Sequence, residues 1–408
     1  MTGADPVANA LASRIAAGEL AGAAASAWRA GGPALTWCAG SRDIETGAPA
    51  TSDTLFRIAS LTKPITSVLA LMLMEDGRIA LEDPIARWAP EFAEMRVLRD
   101  PEGPLGDASP AHRQITFEDL LTHRAGLTYG DFHAGPIAAA YAEALGGDID
   151  SEVPPDAWIA RLGALPLIDQ PGALFHYGRS TDLLGLLIAR MEGAPLGEVM
   201  QARIFEPLGM ADTGFRVPLE KRDRRAGHHG FDAGGRLVKR SAVPGEAALP
   251  ERPEGMAYES GGQGLWSTLD DYLTFARLFA EGGAVGGVRL LQPETVSLMT
   301  ANRLTPQQRA DSQMFGQRLF AAGHGFGLGV AVVVEPELAD PIRCGGGTGS
   351  VGWPGAYGGW WQADPNDASV LIFLTHNMVE LHQLMEGVGL GCYAAIGEFQ
   401  RLATDALN

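Results

Sequence analysis

Ser60-Leu61-Thr62-Lys63-Pro64-Ile65-Thr66-Ser67-Val68-Leu69-Ala70-Leu71-Met72-Leu73 is the stretch on which the organisation of the chain turns. Leu61, Ile65, Val68, Leu69, Met72 and Leu73 make it apolar on most sides, as expected of a helix buried in the middle of a fold. Pro64 suits a first helical turn, and Gly77 supplies the stop. Upstream, Asp5 to Ala17 carries Val7, Leu11 and Ile15 at the spacing of one helical face. Then the period changes. Ala23 to Trp28 and Ala34 to Ala39, either side of Gly31-Gly32-Pro33, read as two small-residue strands of a hairpin.

Downstream, helical patterns such as Phe117 to Leu121, Ser180 to Met191 and Leu269 to Phe279 alternate with Gly, Pro and Asp clusters. Strands return at Gly327 to Val334, Gly355 to Gln362 and Ser369 to Leu374, and a closing helix runs from Met378 to about Ala403. Helix and strands at the start, strands and helix at the end, and helices between predict an α+β fold in which both termini build one sheet. The expected division is a sheet region of residues 1–85 and 325–408 and a mainly helical insertion of residues 86–324.

At 408 residues, 46% hydrophobic and 20% charged, the chain has the composition of a globular protein able to bury a substantial core. Lys+Arg number 31 against 49 Asp+Glu, a net charge of −18, which repels phosphate backbones and anionic lipid surfaces. No nucleic-acid or membrane partner is expected, and a neutral small molecule is the easier ligand. The start, Met1 to Leu20, reads as an amphipathic helix rather than a signal peptide, so a cytoplasmic location is expected. Cys38, Cys344 and Cys392 are odd in number and widely spaced, which favours buried inert thiols over disulfides or a zinc cage.

Only three lysines occur, at 63, 221 and 239, so one placed among apolar residues invites a chemical reading. Lys63 follows Ser60 by three residues, and on a helix that spacing puts both side chains on one face. Ser-x-x-Lys is the pattern of a lysine-activated serine. The chemistry requires lysine rather than arginine because a base must be able to lose its proton, which burial assists and a guanidinium does not permit. Against this stands the blander reading of Ser60 as a helix cap and Lys63 as a snorkelling side chain. Tyr177, in Phe175-His176-Tyr177-Gly178-Arg179-Ser180, sits at a loop–helix junction where a tyrosine can serve as a base, or simply pack in the core. Gly345 to Trp361 combines glycines with Trp353, Trp360 and Trp361, either a close approach of backbone to a ligand or a bulged strand with core aromatics. No Gly-x-Ser-x-Gly elbow, His-Glu-x-x-His, P-loop or Gly-x-Gly-x-x-Gly fingerprint of the required strand-to-helix kind is present, so no metal or organic cofactor is expected.

Taken in order, Ser60-Leu61-Thr62-Lys63, Tyr177 and Trp353-Pro354-Gly355 resemble the three site elements of the serine β-lactamase and penicillin-binding-protein superfamily. The chain is most similar to the family VIII carboxylesterases, which look like class C β-lactamases. Leu120 to Leu127, Glu206 to Met210 and Gly261 to Thr268 also look like landmarks of the family, of structural character. The resemblance implies an antiparallel sheet flanked by terminal helices, of β-lactamase/transpeptidase type. It further implies a serine carboxylesterase that cleaves esters of short acyl chains through a covalent acyl-enzyme, with weak β-lactamase side activity.

In that scheme Ser60 is the nucleophile, Lys63 and Tyr177 manage its proton, and the N–H groups of Ser60 and Ala356 form the oxyanion hole. Trp353 takes the place of a lysine that holds a β-lactam carboxylate, offering an apolar surface instead, and is assigned with Gly355 and Arg179 to substrate binding. Arg179 stands where lactamases commonly carry an asparagine, and could lower the pKa of Tyr177, bind a substrate oxygen or point to solvent. Competing readings on the same fold are a class C-like β-lactamase or D-amino-acid peptidase acting on amides, and a non-catalytic binding protein.

Overall fold

The structure is a computed structural model that describes residues 5–147, 149–240, 252–314, 317–320, 323–340 and 345–408. Its centre is an eight-stranded antiparallel sheet drawn from both ends of the chain. The first part supplies β1 (Gly22–Arg29), β2 (Leu35–Asp43) and β3 (Ala48–Pro49). The last part supplies β4 (His324–Phe326), β5 (Ala331–Val333), β6 (Val351–Pro354), β7 (Trp360–Asp364) and β8 (Ser369–Thr375). The spatial order is β4-β5-β6-β7-β8-β1-β2-β3, so the two ends meet where β1 pairs with β8, Ala25 facing Phe373 and Trp28 facing Val370.

Six helices frame the sheet and the site: α1 (Pro6–Ala16), α2 (Thr62–Glu75), α3 (Phe117–Leu121), α4 (Ser180–Glu192), α5 (Leu269–Ala280) and α6 (Leu390–Leu407). The strand period of two divides their work. Ala23, Ala25 and Ala27 of β1, with Leu371 and Phe373 of β8, face Val7 and Leu11 of α1 and Ile396 and Phe399 of α6. Ala24 and Trp28, with Val370, Ile372 and Leu374, face the opposite layer, where α2 and α5 pack. Both faces of the centre are covered, which is why β1 is buried at every position but its last and can be built largely of alanine. Every residue of α2 from Thr62 to Leu73 is buried, so the segment apolar on most sides has apolar partners on most sides. Truncating one of its fully buried leucines, such as Leu69, would cost about 2–5 kcal/mol.

Several sequence expectations are corrected by where the chain turns. The run Gly327 to Val334 is not one strand: Gly327 N–H bonds Val330 O at 2.8 Å, and Gly329, at φ +88°, closes a turn between β4 and β5. Likewise Gly355 to Gln362 begins with the tip of the β6–β7 hairpin, where Gly355 N–H bonds Gly359 O at 2.7 Å. The closing helix is two helices, Leu381–Met385 and α6, separated by Gly387 and Gly389, both at positive φ. Cys392 is buried as expected, but Cys38 is exposed. On β2, Trp37 and Ala39 pack beneath the terminal helices while the alternate face, which carries Cys38, is open. Cys344 lies outside the described residues. Among the described residues no helix is long and apolar enough to cross a membrane.

Candidate active site

Ser60 lies in a single 3-10 turn, Ala59–Leu61, that leads into α2. The turn begins from a strained backbone: Ala59 has φ +46°, a region that costs a non-glycine residue about 1–3 kcal/mol. Neighbouring chain holds it there. Ile58 N–H bonds Leu265 O at 3.0 Å, Leu265 N–H bonds Thr62 Oγ1 at 3.2 Å, and Tyr272 Oη donates to Leu61 O at 3.0 Å. Burial pushes the Tyr272 phenol well above its ordinary pKa, so it stays a donor.

One helical turn on, Lys63 is 1% exposed and points back at Ser60. Its Nζ donates to Ser60 Oγ at 3.2 Å, to Tyr129 Oη at 3.2 Å and to Gly262 O at 2.9 Å, three protons for three acceptors. Tyr177 reaches the same oxygen from the loop before α4, its Oη 2.7 Å from Ser60 Oγ, while Lys63 Nζ lies 4.5 Å from the centre of its ring. Gly178 makes this approach feasible, because a Cβ there would fall 2.3 Å from the carbonyl carbon of Thr128. The tyrosine loop therefore lies directly on the Thr128–Tyr129 backbone, and the two tyrosine rings meet at 5.7 Å.

Trp353, on β6, is 4% exposed and does more than offer an apolar wall: its Nε1 donates to Tyr177 Oη at 3.0 Å. Phe175, Phe320 and Phe326 pack with Trp353 around this contact. Gly355 follows at the hairpin tip, where a Cβ would sit 2.9 Å from Ile58 O. The hairpin thus lies against the Ser60 turn, with Ala356 next in sequence and exposed. Among the described residues, neither Ser60 N–H nor Ala356 N–H takes part in a backbone turn bond.

Arg179 does not point to solvent. It is 1% exposed, its guanidinium carbon 5.2 Å from the centre of the Tyr129 ring and Nη1 3.9 Å from Asp182 Oδ2. His123, fully buried at φ +54°, packs on Tyr177 with ring centres 5.0 Å apart. Burial and the charge of Lys63 hold its pKa well below the usual histidine range, so the imidazole is neutral. Among the described residues no group of three His, Cys, Asp or Glu is arranged to hold a metal ion.

The structure therefore brings Ser60, Lys63, Tyr177 and Trp353 into one hydrogen-bonded group, with Gly355 beside it and Arg179 a layer behind. Sequence reasoning missed Tyr129, the Gly262 carbonyl, Asp182 and His123. The signal for two of them was present, since His123 and Gly262 fall in the stretches Leu120 to Leu127 and Gly261 to Thr268, but as structural landmarks.

The sequence model of the Beta-lactamase family matches residues 7–386, and the chain belongs to that family. It is 43% identical over 365 residues to protein Rv1367c of Mycobacterium tuberculosis, covering 90% of this chain and 88% of that one. It is 32% identical over 372 residues to esterase EstB of Burkholderia gladioli, covering 88% and 87%. Among solved structures it is similar to EstCE1, described as a hydrolase with promiscuous acyltransferase activity, at a TM-score of 0.76 and 25% identity, covering 96% of this chain and 97% of that one.

Proposed function

We propose that the protein is a serine carboxylesterase of the family VIII type, acting on small neutral esters with short acyl chains through a covalent acyl-enzyme. The observation that carries the reading is the convergence of Lys63 Nζ and Tyr177 Oη on one oxygen, Ser60 Oγ, at 3.2 and 2.7 Å. A serine hydroxyl is a weak nucleophile unless a neighbouring group removes its proton as it attacks, and here two groups with exchangeable protons are in reach. Ser60 attacks the ester carbonyl, and its proton passes to the Lys63–Tyr177 pair. The N–H groups of Ser60 and Ala356 stabilise the tetrahedral oxyanion. The C–O bond to the alcohol breaks with a proton from Tyr177, leaving Ser60 acylated. Water, deprotonated by the same pair, then attacks the acyl carbon, and the bond to Ser60 Oγ breaks as that proton passes to the serine oxygen, which releases the acid and restores the hydroxyl. No step draws on a metal or an organic cofactor, and the enzyme works in the cytoplasm.

Esters are favoured over β-lactams by what stands at position 353. A lactam carboxylate brought to this place meets an indole whose one donor already serves Tyr177, so its charge is desolvated without a cationic partner. The experiment is turnover of a short-chain nitrophenyl ester beside a chromogenic cephalosporin. The expected result is kcat/KM for the ester higher by at least about a hundredfold, equivalent to about 2.7 kcal/mol. Efficient cephalosporin hydrolysis with poor ester turnover would replace this reading with a β-lactamase, and turnover of neither would favour a binding protein.

A further inference from the structure

We propose that Arg179 and Asp182 are a positioning pair that sets the charge state of Lys63 by gripping both of the groups, other than Ser60, to which it is bonded. The proposal deepens the esterase reading and rests on it.

The two residues open α4 three positions apart, and both are buried, at 1% and 0% exposure. Each reaches one partner of Lys63. Arg179 stacks its guanidinium on Tyr129, whose hydroxyl receives one Lys63 proton. Asp182 Oδ1 accepts from Ser260 Oγ and, at 3.1 Å, from Gly262 N–H, and the carbonyl of that same Gly262 receives another Lys63 proton at 2.9 Å. A single residue, Gly262, therefore separates the carboxylate from the ammonium. Packing leaves no slack in this link, because a Cβ on Gly262 would lie 3.0 Å from both Asp182 oxygens.

The charges are what make the arrangement more than scaffolding. A buried carboxylate this close to Lys63 would by itself favour the ammonium and keep it from accepting a proton. Arg179, 3.9 Å from the other carboxylate oxygen, opposes that field. A buried ion pair adds little net stability over apolar packing, so stability alone is a weak account of its presence. Among the described residues Tyr129, Tyr177 and His123 also face Lys63, and the His123 imidazole is neutral. Removing one member of the pair should therefore shift the pH at which Lys63 becomes competent, and the two members should shift it in opposite directions.

The test is the pH profile of kcat/KM for a neutral ester in the wild type, Arg179→Met, Asp182→Asn and the double variant, with Ser60→Ala alongside. Asp182→Asn keeps the acceptor for Ser260 and Gly262 while removing the charge. The acid limb should move up by about one pH unit in Arg179→Met, down by about one unit in Asp182→Asn, and return to near the wild-type position in the double variant. Arg179→Lys, which keeps the charge, should leave the limb in place. Should one single variant fail to show a cooperative melt, the other still decides, since its limb must move in its own direction, up for Arg179→Met or down for Asp182→Asn. Limbs that stay fixed in the single variants, or that move the same way, overturn the pair while Ser60→Ala remains inactive. Wild-type turnover by Ser60→Ala overturns the esterase reading beneath it, and the pair with it.

Discussion

Two buried polar clusters meet at the Ala59–Ser60 backbone, and they are built on opposite terms. On one side Lys63 has three acceptors for three protons, and Tyr177 Oη is bonded to both Ser60 and Trp353. On the other, beyond Tyr357, which packs against Ala59, the rings of His228 and His376 stand 4.5 Å apart. Among the described residues, neither nitrogen of His228 has a hydrogen-bond partner, nor has Nε2 of His376. A filled network fixes its members in one geometry, whereas imidazoles buried without polar partners are held neutral and refuse protons that the unfolded chain would bind. The first cluster suits proton transfer at defined atoms, and the second should be where the fold is most sensitive to acid.

The sharpest way to break this contrast is to change the cation of the filled cluster without changing its charge. Lys63→Arg should lose about a thousandfold in kcat/KM, equivalent to about 4 kcal/mol, and nearly match Lys63→Ala, because a guanidinium cannot give up its proton. An arginine variant that keeps more than about a tenth of the activity would make Lys63 a fixed cation rather than a proton carrier.

The unfilled cluster should show itself in the pH dependence of stability. Burial, with Arg57 and His229 nearby, pulls the pKa of His228 down to about 4, and burial holds that of His376 well below 6.5. Above pH 6.5 both are neutral folded and unfolded, and they contribute no pH dependence. Between pH 6.5 and about 4 the unfolded chain binds protons that the native state refuses, so stability falls with pH by about 1.4 kcal/mol per unit for each histidine. Thermal unfolding at pH 7 and pH 5 measures the slope, and His228→Gln should lessen it by its own share. An unchanged slope would move the acid sensitivity elsewhere.

The smallest expected effect returns to the filled cluster. Trp353→Phe keeps the aromatic packing but removes the donor to Tyr177, and should lower kcat by about tenfold with KM little changed. Steady-state kinetics on a neutral ester decide. An altered KM with kcat intact would assign Trp353 to substrate contact rather than to Tyr177.

How far the sequence could be read depends on the range of the interactions involved. Ser60 and Lys63 share one helical turn, and the buried helix after them announces itself by composition, so spacing alone puts the two side chains together. Tyr177 and Trp353 were legible from their local settings and from the order of the motifs. Tyr129, Asp182 and Gly262 were not, because what makes them matter is contact across 66, 80 and 199 positions of chain. Burial of Arg179 likewise depends on Tyr129 and Asp182 being beside it. The strand ends were misplaced where glycine turns interrupt apolar runs, at Gly329 and at Gly355 to Gly359, since a run of apolar residues does not say whether the backbone folds back within it. Cys38 was misread because alternation along β2 decides its exposure, and the side of the sheet that the helices leave uncovered is a property of the whole fold.

The central claim is that Ser60 carries the acyl group, and one measurement addresses it directly. Intact mass after brief exposure to a serine-directed phosphonate, with subsequent peptide mapping, should show a single adduct on the peptide containing Ser60, with ester turnover lost in proportion to labelling. An adduct on another residue, or full labelling of Ser60 with turnover intact, would contradict the account.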